Sequence, residues 1–280
     1  MAYKIATVSN IPIYVDWSLI LLLFFVVSDF GNPLLGIAVG VGVAASIALH
    51  ELGHSLVAQA FGCRVRDITL MLIGGCATII DMPRKAWQEF LMALAGPLVS
   101  ALIGALCLAA VSLLHIDPMS VSTSAGYSPG LFFYLGVINL SLCFFNLLPA
   151  FPMDGGRILR AFLHQFFMTR LRATWVASRI GRLIAVLMGL SVVFSFLTHR
   201  LESYMLIRLL IAYFIYTAAD REYRMVLMEE AAKQQRPPFA GFSFFGRVRP
   251  SEPPPDDGKA VVSPPPYERG GATRVDVRKE

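Results

Sequence analysis

The stretch Ala44-Ala45-Ser46-Ile47-Ala48-Leu49-His50-Glu51-Leu52-Gly53-His54-Ser55-Leu56-Val57-Ala58 lies inside an apolar run from Pro33 to Phe61. No proline breaks it after Pro33, so a helix is the natural reading, and the run exceeds the ~20 residues needed to cross the hydrocarbon of a bilayer. On that helix His50 and His54 are one turn apart and share a face. Two imidazoles so placed hold one divalent ion, each at ~2.0–2.1 Å from Zn²⁺. Glu51 is offset from their face and can take a proton from a metal-activated water. On a soluble surface helix the same five letters arise by chance. Within a span, an ionisable residue at the helix centre costs roughly 2.5–3.5 kcal/mol on insertion scales. Two His and a Glu in one turn therefore need a partner that offsets them: a metal, or else a buried polar network without one.

Outward from this run the chain stays apolar. Hydrophobic residues make up 56% of the 280, charged residues 15%, and the mean hydropathy is +0.62. The hydrophobic share exceeds what a soluble globule can bury, which excludes a cytosolic enzyme and makes the lipid bilayer a partner. Six apolar runs are expected to be transmembrane helices: Ile11 to Ser28, Pro33 to Phe61, Trp87 to His115, Gly130 to Leu148, Leu183 to Thr198 and Tyr204 to Ala219. Asp16 interrupts the first, and the last two are short enough to form a hairpin. The expected fold is an all-α polytopic membrane protein with a small β-hairpin over Asp67–Asp81, between the second and third spans. Ile68, Thr69, Leu70, Ile73, Thr78, Ile79 and Ile80 supply strand formers around Gly74-Gly75.

Charge sorts the connections. Arg64, Arg66, Arg84 and Lys85 follow the second run, and Arg157, Arg160, Arg170, Arg172, Arg179 and Arg182 follow the fourth. The links after the first and third runs have no Lys or Arg, and the link after the fifth has one, Arg200. That alternation predicts a multi-pass protein of the cell membrane with both termini in the cytoplasm. The same bias accounts for the net charge of +5 without nucleic acid, and the arginines from 157 to 182 are read as anchors against anionic headgroups. The N-terminus lacks a basic region followed by a cleavage site, so the first run is expected to be a retained anchor.

A catalytic zinc usually takes three protein ligands and keeps a fourth position open. The best third ligand is Asp154 in Asn146-Leu147-Leu148-Pro149-Ala150-Phe151-Pro152-Met153-Asp154-Gly155-Gly156-Arg157, at the end of the fourth run, on the side where the second run also finishes. The alternative for Asp154 is a helix N-cap. Pro149 and Pro152 break the helix there, which a membrane protein tolerates where backbone faces protein or a wet cavity.

Together these features resemble the site-2 protease family of intramembrane zinc metalloproteases. Ile11-Pro12-Ile13 leading to Trp17-Ser18 is similar to the entry of its first span, although His is usual where Asp16 stands. His50 to His54 matches its zinc motif, Gly74-Gly75 its glycine pair, Ala95-Gly96-Pro97 with Ser100 its third-span signature, and Asn146 through Arg157 its Asn-x-x-Pro…Asp-Gly segment. The resemblance implies one Zn²⁺ per chain on His50, His54 and Asp154, with Glu51 as catalytic base. It implies that Asn146 helps hold the substrate or its tetrahedral intermediate; an interhelical hydrogen bond is the other use of such a residue. Substrates would be membrane-anchored proteins cut near the cytoplasmic face, typically after a first cut by a site-1-type protease. The Asp67–Asp81 hairpin either receives an unwound substrate strand by β-addition or caps the cavity as a structural element.

Two other classes compete. A non-catalytic zinc-containing protein that binds or chaperones membrane clients would not need Glu51. A metal transporter would need polar ligands at several depths, whereas the candidates cluster at one. Cys63, Cys76, Cys107 and Cys143 form no C-x-x-C pair, and His115, His164 and His199 sit near run ends as interfacial residues. The domain reading is a membrane-embedded metalloprotease domain over residues 1–222 and a polar, proline-rich cytoplasmic tail over 223–280. The last 61 residues hold 9 of the 17 prolines, including Pro264-Pro265-Pro266-Tyr267. Asp220 to Gln235 is expected to continue the last span as a charged helix. Residues 236–280 are expected to be disordered, with no nucleotide-sensing regulatory domain.

Overall fold

The computed structural model describes residues 2–30, 32–71, 74–81, 83, 85–115, 121–123, 126–128, 130–198, 205–234, 260–262 and 273–275. Ile73, Arg84, His199, Arg200 and most of the tail named above, including its expected disorder, lie outside the described residues. The order is β1 (Ala2–Val8), β2 (Ile11–Asp16), α1 (Ser18–Asp29), α2 (Pro33–Ala60), β3 (Val65–Met71), β4 (Gly74–Ile79), α3 (Ala86–Leu113), β5 (Val121–Thr123), β6 (Gly126–Ser128), α4 (Leu131–Asn146), α5 (Asp154–Phe166), α6 (Arg170–Leu197), α7 (Met205–Gln234), β7 (Ala260–Val262) and β8 (Thr273–Val275). One compact unit runs from Met1 to Ala231. A second, Ala232–Glu280, contains the antiparallel pair β7–β8.

Among the described residues, three helices are long and apolar enough to cross a membrane: α2, α3 and α6. Their outward faces suit lipid: Leu98, Leu102 and Leu106 on α3 are 57%, 60% and 61% exposed, a row that water would penalise. The run from Ile11 to Ser28 is not one span. Its first part is strand β2, and the Asp16 carboxylate accepts a hydrogen bond from the Ser18 N–H at 3.0 Å where α1 begins. The 12 residues of α1 reach about 18 Å, short of the ~30 Å hydrocarbon core. The 16 residues of α4 reach about 24 Å. Conversely, α6 starts at Arg170, well before the apolar part at Leu183, and α7 continues through Asp220 into its charged half without a break.

Strands β3 and β4 are half of a larger sheet, ordered β1-β2-β3-β4. The β1–β2 hairpin turns on Ser9 and Asn10, both at positive φ, the conformation two-residue hairpin turns require. β2 then pairs in parallel with β3, Ile13 opposite Ile68 and Val15 opposite Leu70. The buried side chains Ile11, Ile13, Leu19, Ile68 and Leu70 pack on Ala44, Ile47, Ala48 and Leu52 of α2. This apolar contact, worth roughly 1.5–3 kcal/mol per fully buried large side chain, sets the sheet against the helix that carries Glu51. Asn32 caps α2, its side chain accepting from the Leu34 N–H at 3.0 Å with Pro33 in the first turn.

Three of the arginines read as headgroup anchors, Arg160, Arg170 and Arg182, pair with carboxylates inside the fold, Arg182 with Asp220 at 3.6 Å. Arg160 is fully buried, its guanidinium held between Glu89 of α3 and Glu222 of α7. Arg170 reaches Glu229 of α7 at 2.9 Å. In addition, the Ser178 hydroxyl donates to the Ala219 carbonyl at 2.9 Å, pinning α6 to α7.

Candidate metal centre

The fold brings His50, His54 and Asp154 together. They come from α2 and from the first residue of α5, and all three are at least nine-tenths buried. The two Nε2 atoms lie 3.2 Å apart, and Asp154 Oδ2 lies 3.3 Å from His50 Nε2 and 3.1 Å from His54 Nε2. Ligands at ~2.0–2.1 Å in a tetrahedron sit about 3.3–3.4 Å from one another, so the spacing fits a zinc-sized ion between the three donors. Among the described residues, no other group of three His, Cys, Asp or Glu converges in this way, and neither His115 nor His164 joins this one.

The far sides of both rings are held. His54 Nδ1–H donates to the Met92 carbonyl at 2.7 Å, and His50 Nδ1 lies 2.9 Å from the Ser100 hydroxyl. A carbonyl only accepts, so the proton of neutral His54 is on Nδ1 and the Nε2 lone pair faces the cluster. Such partners orient metal-binding imidazoles. Both come from α3, which can approach because residue 96 is glycine. A Cβ there would run into His54 Nε2 and sit 2.7 Å from His50 Nε2.

Asp154 is positioned by the chain that turns back after α4. Met153, not Asp154, is the N-cap of α5, so the carboxylate is free to face the imidazoles. At the helix N-terminus it also sits at the positive end of the macrodipole. The return of the chain is tight: a Cβ at Gly155 would collide with the Leu147 and Leu148 carbonyl oxygens.

Glu51 faces β4. Its Oε2 accepts a hydrogen bond from the Ala77 N–H at 3.2 Å, and Gly75 leaves room for its side chain. Cys76 follows Gly75 on the same strand. Its thiol is pushed above its ordinary value, by desolvation first and by the Glu51 carboxylate second, so it is a neutral thiol and a poor nucleophile. Asn146, the last residue of α4, does not meet the cluster. Its amide donates to the Leu142 carbonyl of its own helix at 3.0 Å, and no hydrogen bond joins it to Glu51, His50, His54 or Asp154 among the described residues.

A model of peptidase family M50 matches residues 38–125 and 111–188. The chain is 35% identical over 232 residues to zinc metalloprotease MJ0392 of Methanocaldococcus jannaschii, a match that covers 82% of this chain and 63% of that one. It is 34% identical over 116 residues to stage IV sporulation protein FB of Bacillus subtilis, covering 40% and 36%. Among solved structures it resembles the site-2 protease from Methanocaldococcus jannaschii with a TM-score of 0.55 and 31% identity, over 80% of this chain and 95% of that one. The chain thus spans less than two thirds of the length of these curated relatives.

Proposed function

The chain belongs to peptidase family M50, and from that premise we propose that it is an intramembrane zinc metalloprotease that hydrolyses peptide bonds of membrane-anchored proteins. The observation that carries the reading is the convergence of two imidazole nitrogens and one carboxylate oxygen at zinc-ligand spacing, with a glutamate one residue from the first imidazole. His50, His54 and Asp154 would hold the ion: their donor set and spacing fit it, and Gly96 keeps the space beside the rings open. Zinc, when bound, lowers the pKa of a water towards 7 and polarises a carbonyl. Glu51 takes the proton from the attacking water and delivers it to the amine that leaves when the C–N bond breaks, so the carboxylate is regenerated. The Asn146 amide, after turning from Leu142, donates to the substrate carbonyl oxygen as charge develops on it.

A substrate helix hides its carbonyls in internal hydrogen bonds, so it unwinds before attack. β4 is an edge strand beside Glu51, and the unwound peptide pairs along it by β-addition. The Lys and Arg bias of the connections supports a multi-pass arrangement with both termini in the cytoplasm and the metal centre near that face. Cleavage follows a first cut by a site-1-type protease, and the proline-rich segment is a cytoplasmic tail.

Metal removal tests this directly. Wild-type protein in liposomes should cut a single-span substrate, lose that activity to 1,10-phenanthroline, and regain it when about one equivalent of Zn²⁺ is added. Cleavage that persists unchanged after zinc has been stripped to background would refute the reading.

A further inference from the structure

Between α2 and α4 lies a groove of about 270 Å³ with almost wholly apolar walls. Val43, Ser46 and Ile47 form one wall. With His50 and His54 they fall at the i, i+3, i+4, i+7, i+11 spacing that puts residues on one helix face. Ile138, Leu142 and Phe145 form the other wall, and Asn146 continues the same stripe of α4. The groove therefore continues from the metal centre along α2, with α4 as its second wall, away from the cytoplasmic face proposed above. Its floor is fixed: the fully buried Asn139 amide donates to the Ser46 hydroxyl at 2.9 Å, and that hydroxyl donates to the Gly42 carbonyl at 2.8 Å. On the open side Phe145 and Ser141 are exposed, so the groove can be entered from the lipid.

The size is below the roughly 300–1,000 Å³ of sites that enclose whole small ligands, so it suits one side chain. Ser46 stands four residues before His50, about 6 Å along the helix axis. An extended peptide advances about 3.3 Å per residue, so a chain crossing the metal centre brings a side chain to the groove about two residues from the bond being cut.

We propose that this groove is a specificity pocket that seats one large apolar side chain, such as Leu or Phe, of the substrate's membrane segment. The side chain lies about two residues from the scissile bond, on the fragment that stays in the bilayer. The proposal rests on the proteolytic reading above. The occupant is a substrate side chain rather than a lipid chain because the α2 wall runs straight into His50, one turn beyond Ser46, beside which the proposed function puts the scissile bond.

The test uses single-span peptides in phosphatidylethanolamine and phosphatidylglycerol vesicles, with Ala, Leu or Phe placed at each of the three positions on the membrane side of the cut. Wild type should favour Leu or Phe over Ala at one of them by about tenfold or more in kcat/KM. Ser141→Trp fills the groove from its exposed side and should erase or reverse that preference while Ala peptides are still cut. Phe145→Ala widens it and should raise the rate for Phe relative to Leu. An unchanged preference in both variants overturns the proposal. So does a preference that follows only the acyl-chain length of the vesicle lipid, which would make the groove a lipid site. A photoreactive phenylalanine at the preferred position, or at each of the three in turn if none is cut, should crosslink Glu51→Gln protein within residues 43–47 or 138–145. Crosslinks only elsewhere count against the groove even if no peptide is cut. Absence of cleavage by wild type would instead sink the proteolytic reading alone.

Discussion

Replacing Glu51 by Gln should reduce cleavage by at least ~10²–10⁴-fold, the usual contribution of a positioned general base, while zinc stays bound at the wild-type ratio. The amide keeps the size of the carboxylate and its carbonyl can still accept from the Ala77 N–H, so the side chain keeps its place against β4. It cannot take a proton from water. Paired measurements of metal content and turnover on the purified variant separate this outcome from loss of the site. Equal loss of zinc and activity would mean that Glu51 is structural. Near-normal turnover would remove Glu51 as the general base.

The second large effect is on the fold. Arg160→Met should destabilise the protein by about 3–5 kcal/mol, because removing one partner of a buried ionic cluster leaves its charges uncompensated. Arg160 is fully buried, donates from Nε to Glu89 at 2.8 Å and from Nη1 to Glu222 at 2.6 Å, and lies 5.2 Å from the Phe151 ring centre. These contacts tie α5 to α3 and α7. Asp154 is the first residue of α5, and Met92, whose carbonyl orients His54, is one turn beyond Glu89 on α3. A loosened cluster should therefore also weaken metal retention. Arg160→Lys should recover only part of the loss, since one ammonium cannot reproduce the two-sided fork. Denaturant unfolding in detergent gives the numbers; a change within about 0.5 kcal/mol for Arg160→Met would place this cluster among the interactions that contribute nothing measurable.

What the sequence made legible was local. His50, Glu51 and His54 stand out because a helical period brings residues four apart onto one face, and their polarity is conspicuous inside an apolar run. Asp154 was reachable as a carboxylate at the end of a neighbouring run, and the structure puts it within hydrogen-bond distance of both rings. The first apolar run misled, because Ile11-Pro12-Ile13-Tyr14-Val15 is as hydrophobic as a span yet is a strand that pairs with residues 68–70. The Ser9-Asn10 turn was the available signal. Hydropathy also blurs length: α1 and α4 are apolar but short, whereas α6 is longer than its apolar part.

The supports of the site were invisible for a different reason. The Ser100 hydroxyl beside His50, the Met92 carbonyl beside His54 and the Glu89–Arg160–Glu222 cluster join residues between 38 and 71 positions apart. No helical or strand period encodes such pairings. The hint was energetic: Glu89 lies inside the third apolar run and Arg160 follows the fourth, in a chain body with few charges, where each charge needs a counter-charge. Asn146 was suggested by resemblance alone, and its amide faces its own helix in this structure.

X-ray absorption at the zinc edge, with metal analysis of detergent-purified wild type and Asp154→Ala, addresses the three-donor centre most directly. Wild type should hold one zinc per chain with two imidazole nitrogens and carboxylate or water oxygens at about 2.0–2.2 Å. Asp154→Ala should lose most of that zinc in the presence of a competing chelator. A wild type that binds no zinc, or an Asp154→Ala protein that keeps it with wild-type affinity and spectrum, would contradict the assignment.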